Sequence, residues 1–476
     1  MSDLLAPDLA LAPAHRLAAL VHRGEVSPVE LVEGFAERID RLNGALGAVV
    51  TLDVEGARAQ AHQAQEAQAA QRRSGAAQAP PLLGLPVLVK DSQATQGLRT
   101  TLATRAWSGW VPREDAAVVA RLRAAGCVVL GKTNLCELGT EPVTEPELFG
   151  PTRNPWDLAR SPGGSSGGSA AALAAGLAPV VTASDGAGSI RIPAAHTGLF
   201  GLKPTRGRVT NGPHGTSGLL GLSSPGPLTR DVADAAQQLD AMAGPLPGDL
   251  AERGDHHRPF AAAVAHDPAP RRVGVLADAV LGPLEPARAE AVRRTADRLS
   301  DLGHHVEEIS LTLDEQVMAD FTLVWAASVA ALPLPAEELE PLNAWLAAHA
   351  AAHDAPALAG AVSRLQRRAR RVAALHEDLD VVCAPTVAQP PPEVGAGAGL
   401  DPAERFAQGA AAVGLPPLAN LTGQPAASVP AGVDAHGLPC GVMLMAPAGD
   451  EATLLAVAAQ LQRDRDWSAQ HPPLAA

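Results

Sequence analysis

The chain has 476 residues, 46% of them hydrophobic and 18% charged, with a formal net charge of −14. This describes a soluble globular protein large enough to bury a sizeable core. An acidic balance without a long basic run, no tyrosine and only 3% aromatic residues exclude a surface built to grip phosphates or stack bases.

Residues 14–70 read as helices. In "SPVELVEGFAERIDRLNGAL", Ser27 is placed to cap, Pro28 occupies the first helical position, and apolar residues recur at intervals of three and four. "APPLLGLPVLVK" (79–90) then shifts to a short apolar strand ending in a lysine. "DAAVVARLRAAG" is an amphipathic helix stopped by Gly126, and "CVVLGKT" is a buried strand. The rhythm returns from Arg271, with strand-like "RRVGVLADAV", helical "EPARAEAVRRTADRLSDLG" and strand-like "HHVEEISL". Residues 311–376 read as mainly helical, 379–387 and 425–433 as strands, and 450–463 as a closing helix. Gly244–Pro270 reads as a loose surface segment. Strand and helix in this order predict an α/β fold around a central sheet, in one large domain.

The four cysteines, Cys127, Cys136, Cys383 and Cys440, form no C-x-x-C pair and read as buried thiols of a reduced compartment. No basic segment precedes an apolar one at the N-terminus, and the longest apolar stretch, 170–183, is too short to span a bilayer. A cytoplasmic protein without membrane association is expected.

Three motifs invite other readings. "GCVVLGKT" (126–133) matches a phosphate-binding loop letter for letter, but that loop needs a strand before it and a helix after it. Here a helix precedes and the apolar residues want to be a strand. "GGSSG" places Ser165 in G-x-S-x-G, yet "NPWDLARSP" before it carries two prolines and no strand alternation, against an esterase elbow. His349 and His353 stand four apart without the glutamate or third ligand of a zinc site, and "GHHVEE" (303–308) reads likewise as solvent-facing histidines. No metal and no cofactor are expected.

The remaining stretch is "SPGGSSGGSAAALAAG" (161–176) followed by "VVTASDGAGSIRIPAAHTGLFGLKPTRGRV". Serine is a weak nucleophile until a base takes its proton. The one histidine near these serines in sequence is His196. A lysine can serve instead if burial lowers its pKa, and Lys90 ends an apolar strand where that can happen. Taken singly, each serine also reads as a glycine-loop hydroxyl, and Lys90 as a strand-end surface lysine.

Residues 161–209 resemble the amidase signature family, hydrolases with a serine–serine–lysine triad, and the resemblance extends over nearly the whole chain. "LLGLPVLVKDS", "LRAAGCVVLGKTNLCELG", "ANLTGQPAASVPAG" and "GLPCGVMLMAPAGDEATLL" resemble further family segments. The resemblance implies a single amidase domain over 1–476, with a helical part at 1–70, the catalytic core at 82–230 and a substrate-facing region at 310–400. Its sheet would be mixed and flanked by helices. It implies Lys90 as the base, Ser165 as the bridging serine beside a cis peptide bond, and Ser189 as the nucleophile that carries the acyl group. Ser165 and Ser189 lie 24 residues apart, as the family pattern requires. Gly186, Ala187 and Gly188 would supply an oxyanion hole together with the N–H of Ser189. Ala187 departs mildly from the usual glycine without losing its N–H. Ser166, Asp185 and Arg191 would support the site, while Lys132 and Lys203 read as structural.

Within the family, the signature is most similar to bacterial amidases that open the cyclic dimer of 6-aminohexanoate. The expected partner is a small or medium linear or cyclic amide, and a homodimer is compatible with the resemblance. One rival is the glutaminase subunit of a glutamyl-tRNA amidotransferase, from whose signature "PTRGRVTNGPHGTSG" departs at Arg206. Another is a non-catalytic binding or scaffold protein on the same fold.

Overall fold

The computed structural model describes residues 7–74, 80–215, 221–251, 258–277, 282–314 and 316–475. Among these residues, eleven strands form one sheet: β1 Val49–Leu52, β2 Pro86–Lys90, β3 Val128–Thr133, β4 Val180–Asp185, β5 Phe200–Lys203, β6 Ser224–Thr229, β7 Arg272–Val275, β8 His305–Glu308, β9 Val381–Pro385, β10 Ala426–Val433 and β11 Pro439–Met445. Their order is β1-β3-β2-β4-β6-β5-β10-β11-β9-β7-β8. β2 lies parallel between β3 and β4, and β7 lies parallel between β8 and β9. The remaining neighbours pair antiparallel, so the sheet is mixed.

The local signals act as expected at several ends. Ser27 caps the helix Pro28–Leu46 in a reciprocal box, its hydroxyl accepting from the Glu30 N–H while the Glu30 carboxylate accepts from the Ser27 N–H. Gly126 follows the helix Ala117–Ala124 with φ +98°, where a side chain would strain the backbone. Residues 14–70 are not all helical, however. β1 interrupts them, because Val49–Leu52 completes the edge beyond β3. In the segment 244–270, residues 252–257 lie outside the described residues. The short helix Phe260–Ala263 anchors it through the buried Phe260 ring, so the segment is not loose throughout.

β2 and β3 are buried along their whole length, and so is the helix Gly167–Ala174, whose one polar side chain, Ser169, is hydrogen-bonded to Thr133 and Thr182, so the helix fits inside the core. All four cysteines are free and buried. No helix of the described residues is long and apolar enough to cross a membrane.

Candidate active site

Lys90 is the last residue of β2 and Asp185 the last of β4. The two strands are parallel neighbours, so both residues emerge at one carboxyl edge of the sheet, the usual place for a site in such folds. The Ser161–Ser166 loop crosses that edge before the buried helix. Its backbone is held by Thr144, whose hydroxyl donates to the Gly163 carbonyl at 2.9 Å. The Gly164–Ser165 peptide bond is cis. A Cβ on Gly164 would meet the Val143 carbonyl oxygen at 2.3 Å, so the close approach of these two backbones requires glycine.

This packing brings three hydroxyls onto one amine. The Lys90 Nζ lies 2.8 Å from Ser165 Oγ, 2.8 Å from Ser166 Oγ and 3.2 Å from Ser184 Oγ. Lys90 is 1% exposed, and burial pulls its pKa from the ordinary 10.5 to about 8, against the weaker opposing influence of Cys136 and Asp185. No carboxylate forms an ion pair with it among the described residues. The Thr182 hydroxyl accepts from the Lys90 backbone N–H at 2.8 Å and ties β2 to β4 at this point.

Ser189 sits in the loop between β4 and the helix Arg191–Thr197. Asp185 shapes that loop. Its carboxylate accepts from the Gly188 N–H at 2.7 Å and from Arg191 Nε and Nη2 at 2.9 Å each. Asn420 Nδ2 donates to the same carboxylate at 2.9 Å. Burial opposes its ionisation, but the Arg191 guanidinium and the Asn420 amide outweigh burial and hold the carboxyl well below the usual carboxylate range. The Gly188 N–H is committed to Asp185, while those of Gly186, Ala187 and Ser189 make no hydrogen bond among the described residues.

Ser189 and Ala187 open on a cavity of about 80 Å³ walled by Ile192, Met318, Phe321 and Trp325. Phe321 stacks on Trp325 with ring centroids 5.4 Å apart. The polar lining comprises Thr140, Ser189, Glu141 and Arg405, and the Glu141 carboxylate accepts from Arg405 Nε at 2.6 Å.

The rejected motifs have ordinary explanations. Lys132 of the phosphate-loop match lies within β3, its buried amine donating to the Gln93 carbonyl and to the Thr95 and Thr100 hydroxyls. Only isolated bridges at Asn154, Asp157 and Arg160 precede Ser165, so no strand feeds an elbow. Lys203 is buried and donates to the Pro204 carbonyl at 2.9 Å. His304 is not solvent-facing as expected. It is buried, its Nδ1 accepting from the Arg271 N–H at 3.0 Å and its Nε2 paired with Gln460 at 2.8 Å. His15, Asp231 and Asp234 form the one cluster of metal-ligating type among the described residues. Asp234 there accepts the Ala14 and His15 N–H groups, and Asp231 that of Asp234, as helix caps do.

Ser184 and Asn420 were not singled out from the sequence. Ser184 is legible in retrospect, since alternation along β4 places it on the same face as Thr182. Asn420 lies 235 residues from its partner Asp185, and no local pattern joins them.

Comparison with known proteins settles the relationship. The family model described as Amidase matches residues 30–455. The chain belongs to the amidase family. It is 40% identical to the putative amidase AmiB2 of Mycobacterium tuberculosis, over 98% of each chain. It is 37% identical to the 6-aminohexanoate-cyclic-dimer hydrolase of Paenarthrobacter ureafaciens, over 96% of this chain and 95% of that one. The solved structure of a 6-aminohexanoate cyclic dimer hydrolase complexed with substrate superposes with a TM-score of 0.88 at 34% identity, covering 98% of this chain and all of the other. This amidase therefore shares both fold and reaction class, hydrolysis of an amide C–N bond, with proteins known by those names.

Proposed function

We propose that this amidase hydrolyses amides of apolar carboxylic acids through Lys90, Ser165 and Ser189. The observation that carries the reading is the buried Lys90 amine, without an ion pair among the described residues, at 2.8 Å from Ser165 Oγ. A neutral amine has two N–H donors and one lone pair, which suits three neighbouring hydroxyls if one of them donates. Ser165 gives its proton to that lone pair and accepts the proton of Ser189. The Ser189 oxygen attacks the amide carbon, and the negative oxygen that develops is met by the N–H groups of Gly186, Ala187 and Ser189. Ser165 then returns a proton to the departing amine, and water releases the acid from the acyl-enzyme on Ser189. Ser166 and Ser184 hold the amine in place, and Asp185 with Arg191 holds the loop.

The apolar lining supports a neutral, hydrophobic acyl group. The charged groups of that lining, Glu141 and Arg405, are already paired with each other, so glutamine could place its ammonium and carboxylate there only by parting that pair, which disfavours the glutaminase reading. The test is a panel of primary amides assayed with the isolated protein. Release of ammonia from aryl- or alkyl-carboxamides well above release from glutamine supports the reading, and preference for glutamine overturns it.

A further inference from the structure

Among the described residues, three that are not glycine take a positive φ: Leu102 at +52°, Ala103 at +56° and Leu138 at +54°. Side chains are strained there, and such residues persist only where their surroundings enforce them, commonly beside active sites. All three lie in two turns that join Lys90 to Ser165. The carbonyl of Asp91, the residue after Lys90, accepts from the Leu102 N–H at 3.1 Å, and the Leu102 carbonyl accepts from the Leu138 N–H at 2.9 Å. The Asp91 carboxylate accepts from the Thr101 N–H and hydroxyl, and that hydroxyl accepts from the Ala103 N–H at 3.0 Å. Gly139 follows Leu138 and lies against the serine. A Cβ on it would meet Ser165 Oγ at 3.3 Å.

A distant element holds the Leu138 turn from a second side. Asn343 lies in the first turn of the helix Pro341–Ala351 and is buried. Its Nδ2 donates to the Glu137 carboxylate at 2.8 Å and to the Glu137 carbonyl at 3.2 Å. Its Oδ1 accepts from the Thr140 hydroxyl at 2.8 Å. One amide therefore grips both ends of the segment Glu137–Thr140. The Glu340 N–H adds a further bond to the same Glu137 carboxylate at 2.8 Å. Glu137 and Thr140 are buried as well, so breaking the clasp leaves polar groups without water to replace it. Leu342, beside Asn343, lines the cavity at Ser189, and so do Gly139 and Thr140. The turn thus touches both that cavity and Ser165.

We propose that Asn343 is a positioning residue for Ser165: with Glu137 it holds the strained Leu138–Gly139 turn against the serine and keeps its hydroxyl between Lys90 and Ser189. The proposal rests on the amidase reading above and adds to it a residue outside the triad. Asn343 acts through the turn, with no hydrogen bond of its own to Lys90 or the serines among the described residues. Without the clasp, Leu138 relaxes toward negative φ, Gly139 withdraws, and Ser165 Oγ is free to turn away from its partners. Proton return to the leaving group suffers most. In amide cleavage the C–N bond of the tetrahedral intermediate breaks as its nitrogen takes the Ser165 proton. In cleavage of a p-nitrophenyl ester the C–O bond breaks and the electron pair leaves on p-nitrophenolate, which needs no proton.

The experiment measures kcat/KM for hexanamide and for p-nitrophenyl hexanoate, which carry the same acyl group, with the full-length wild-type protein, Asn343→Leu and the milder Glu137→Gln. Each value is normalised to the fraction of sites titrated by a fluorophosphonate. Asn343→Leu is expected to lower the amide value ~100-fold and the ester value by less than ~5-fold, with a smaller split of the same sign in Glu137→Gln. Leu342→Ala, which alters the cavity and not the clasp, is expected to lower both values by one factor. Equal losses of amide and ester activity in the Asn343 and Glu137 variants, no loss in either, or a split as large in Leu342→Ala overturns the proposal and leaves the amidase reading standing. If Asn343→Leu does not fold, the same ratio in Glu137→Gln decides. A wild-type protein that cleaves neither substrate, or the ester alone, overturns the amidase reading and the proposal together.

Discussion

Lys90 Nζ and Ser165 Oγ stand 2.8 Å apart at the buried carboxyl edge of the sheet, and no carboxylate forms an ion pair with the amine among the described residues. This arrangement sets the pH dependence. Burial lowers the Lys90 pKa from 10.5 to about 8, and only the neutral amine accepts a proton. The kcat/KM for a neutral amide should therefore be low in mild acid, rise as the pH passes through about 8, and level off above it. A profile flat from mildly acidic to alkaline pH contradicts a lysine base.

Substitution separates base from charge. Lys90→Arg keeps a cation but cannot release its proton, and Lys90→Ala removes both. Each is expected to lower kcat by ~1,000-fold or more while circular dichroism reports a folded protein. Arg-variant activity close to wild type would mean that positive charge, and not proton acceptance, is what the site uses.

Much of this site is legible in the sequence because its parts lie close to chain signals. Lys90 ends an apolar strand, and Ser165 and Ser189 sit in glycine loops on either side of a helix and a strand. What escaped has physical reasons. β1 is only four residues long and lies between two helices, so no alternation reveals it. The Gly188 N–H looks free in the sequence, but Asp185, three residues earlier, takes it. Asn420 reaches Asp185 only because β10 pairs with β5, a contact no local window contains. His304 resembles a surface histidine in its polar run, but Arg271 and Gln460 enclose it from outside that run.

The Asp185–Arg191 pair is completely buried, and the carboxylate also anchors the loop that carries Ser189. Arg191→Met leaves that carboxylate charged and without its main partner, at a cost of about 3–5 kcal/mol. Urea denaturation followed by circular dichroism should show that loss. A change under ~1 kcal/mol would mean that Asn420 and the loop N–H groups suffice without Arg191.

Gly188 has φ +120°, and a methyl there would lie 2.7 Å from Ile192 Cδ1 and 2.8 Å from Pro416 Cβ. Gly188→Ala should shift the loop and its donors, lowering kcat by ~100-fold or more with a smaller effect on KM. Ala187→Gly, which keeps the N–H, should retain activity within a few-fold. Equal losses in both variants would place the oxyanion elsewhere.

The measurement that tests the central claim most directly is labelling with a fluorophosphonate probe, followed by peptide mapping of the modified serine. The account predicts a single adduct on Ser189, formed by the wild-type protein and absent from Lys90→Ala. An adduct on Ser165 or Ser166, or labelling of Ser189 that persists without Lys90, would contradict it.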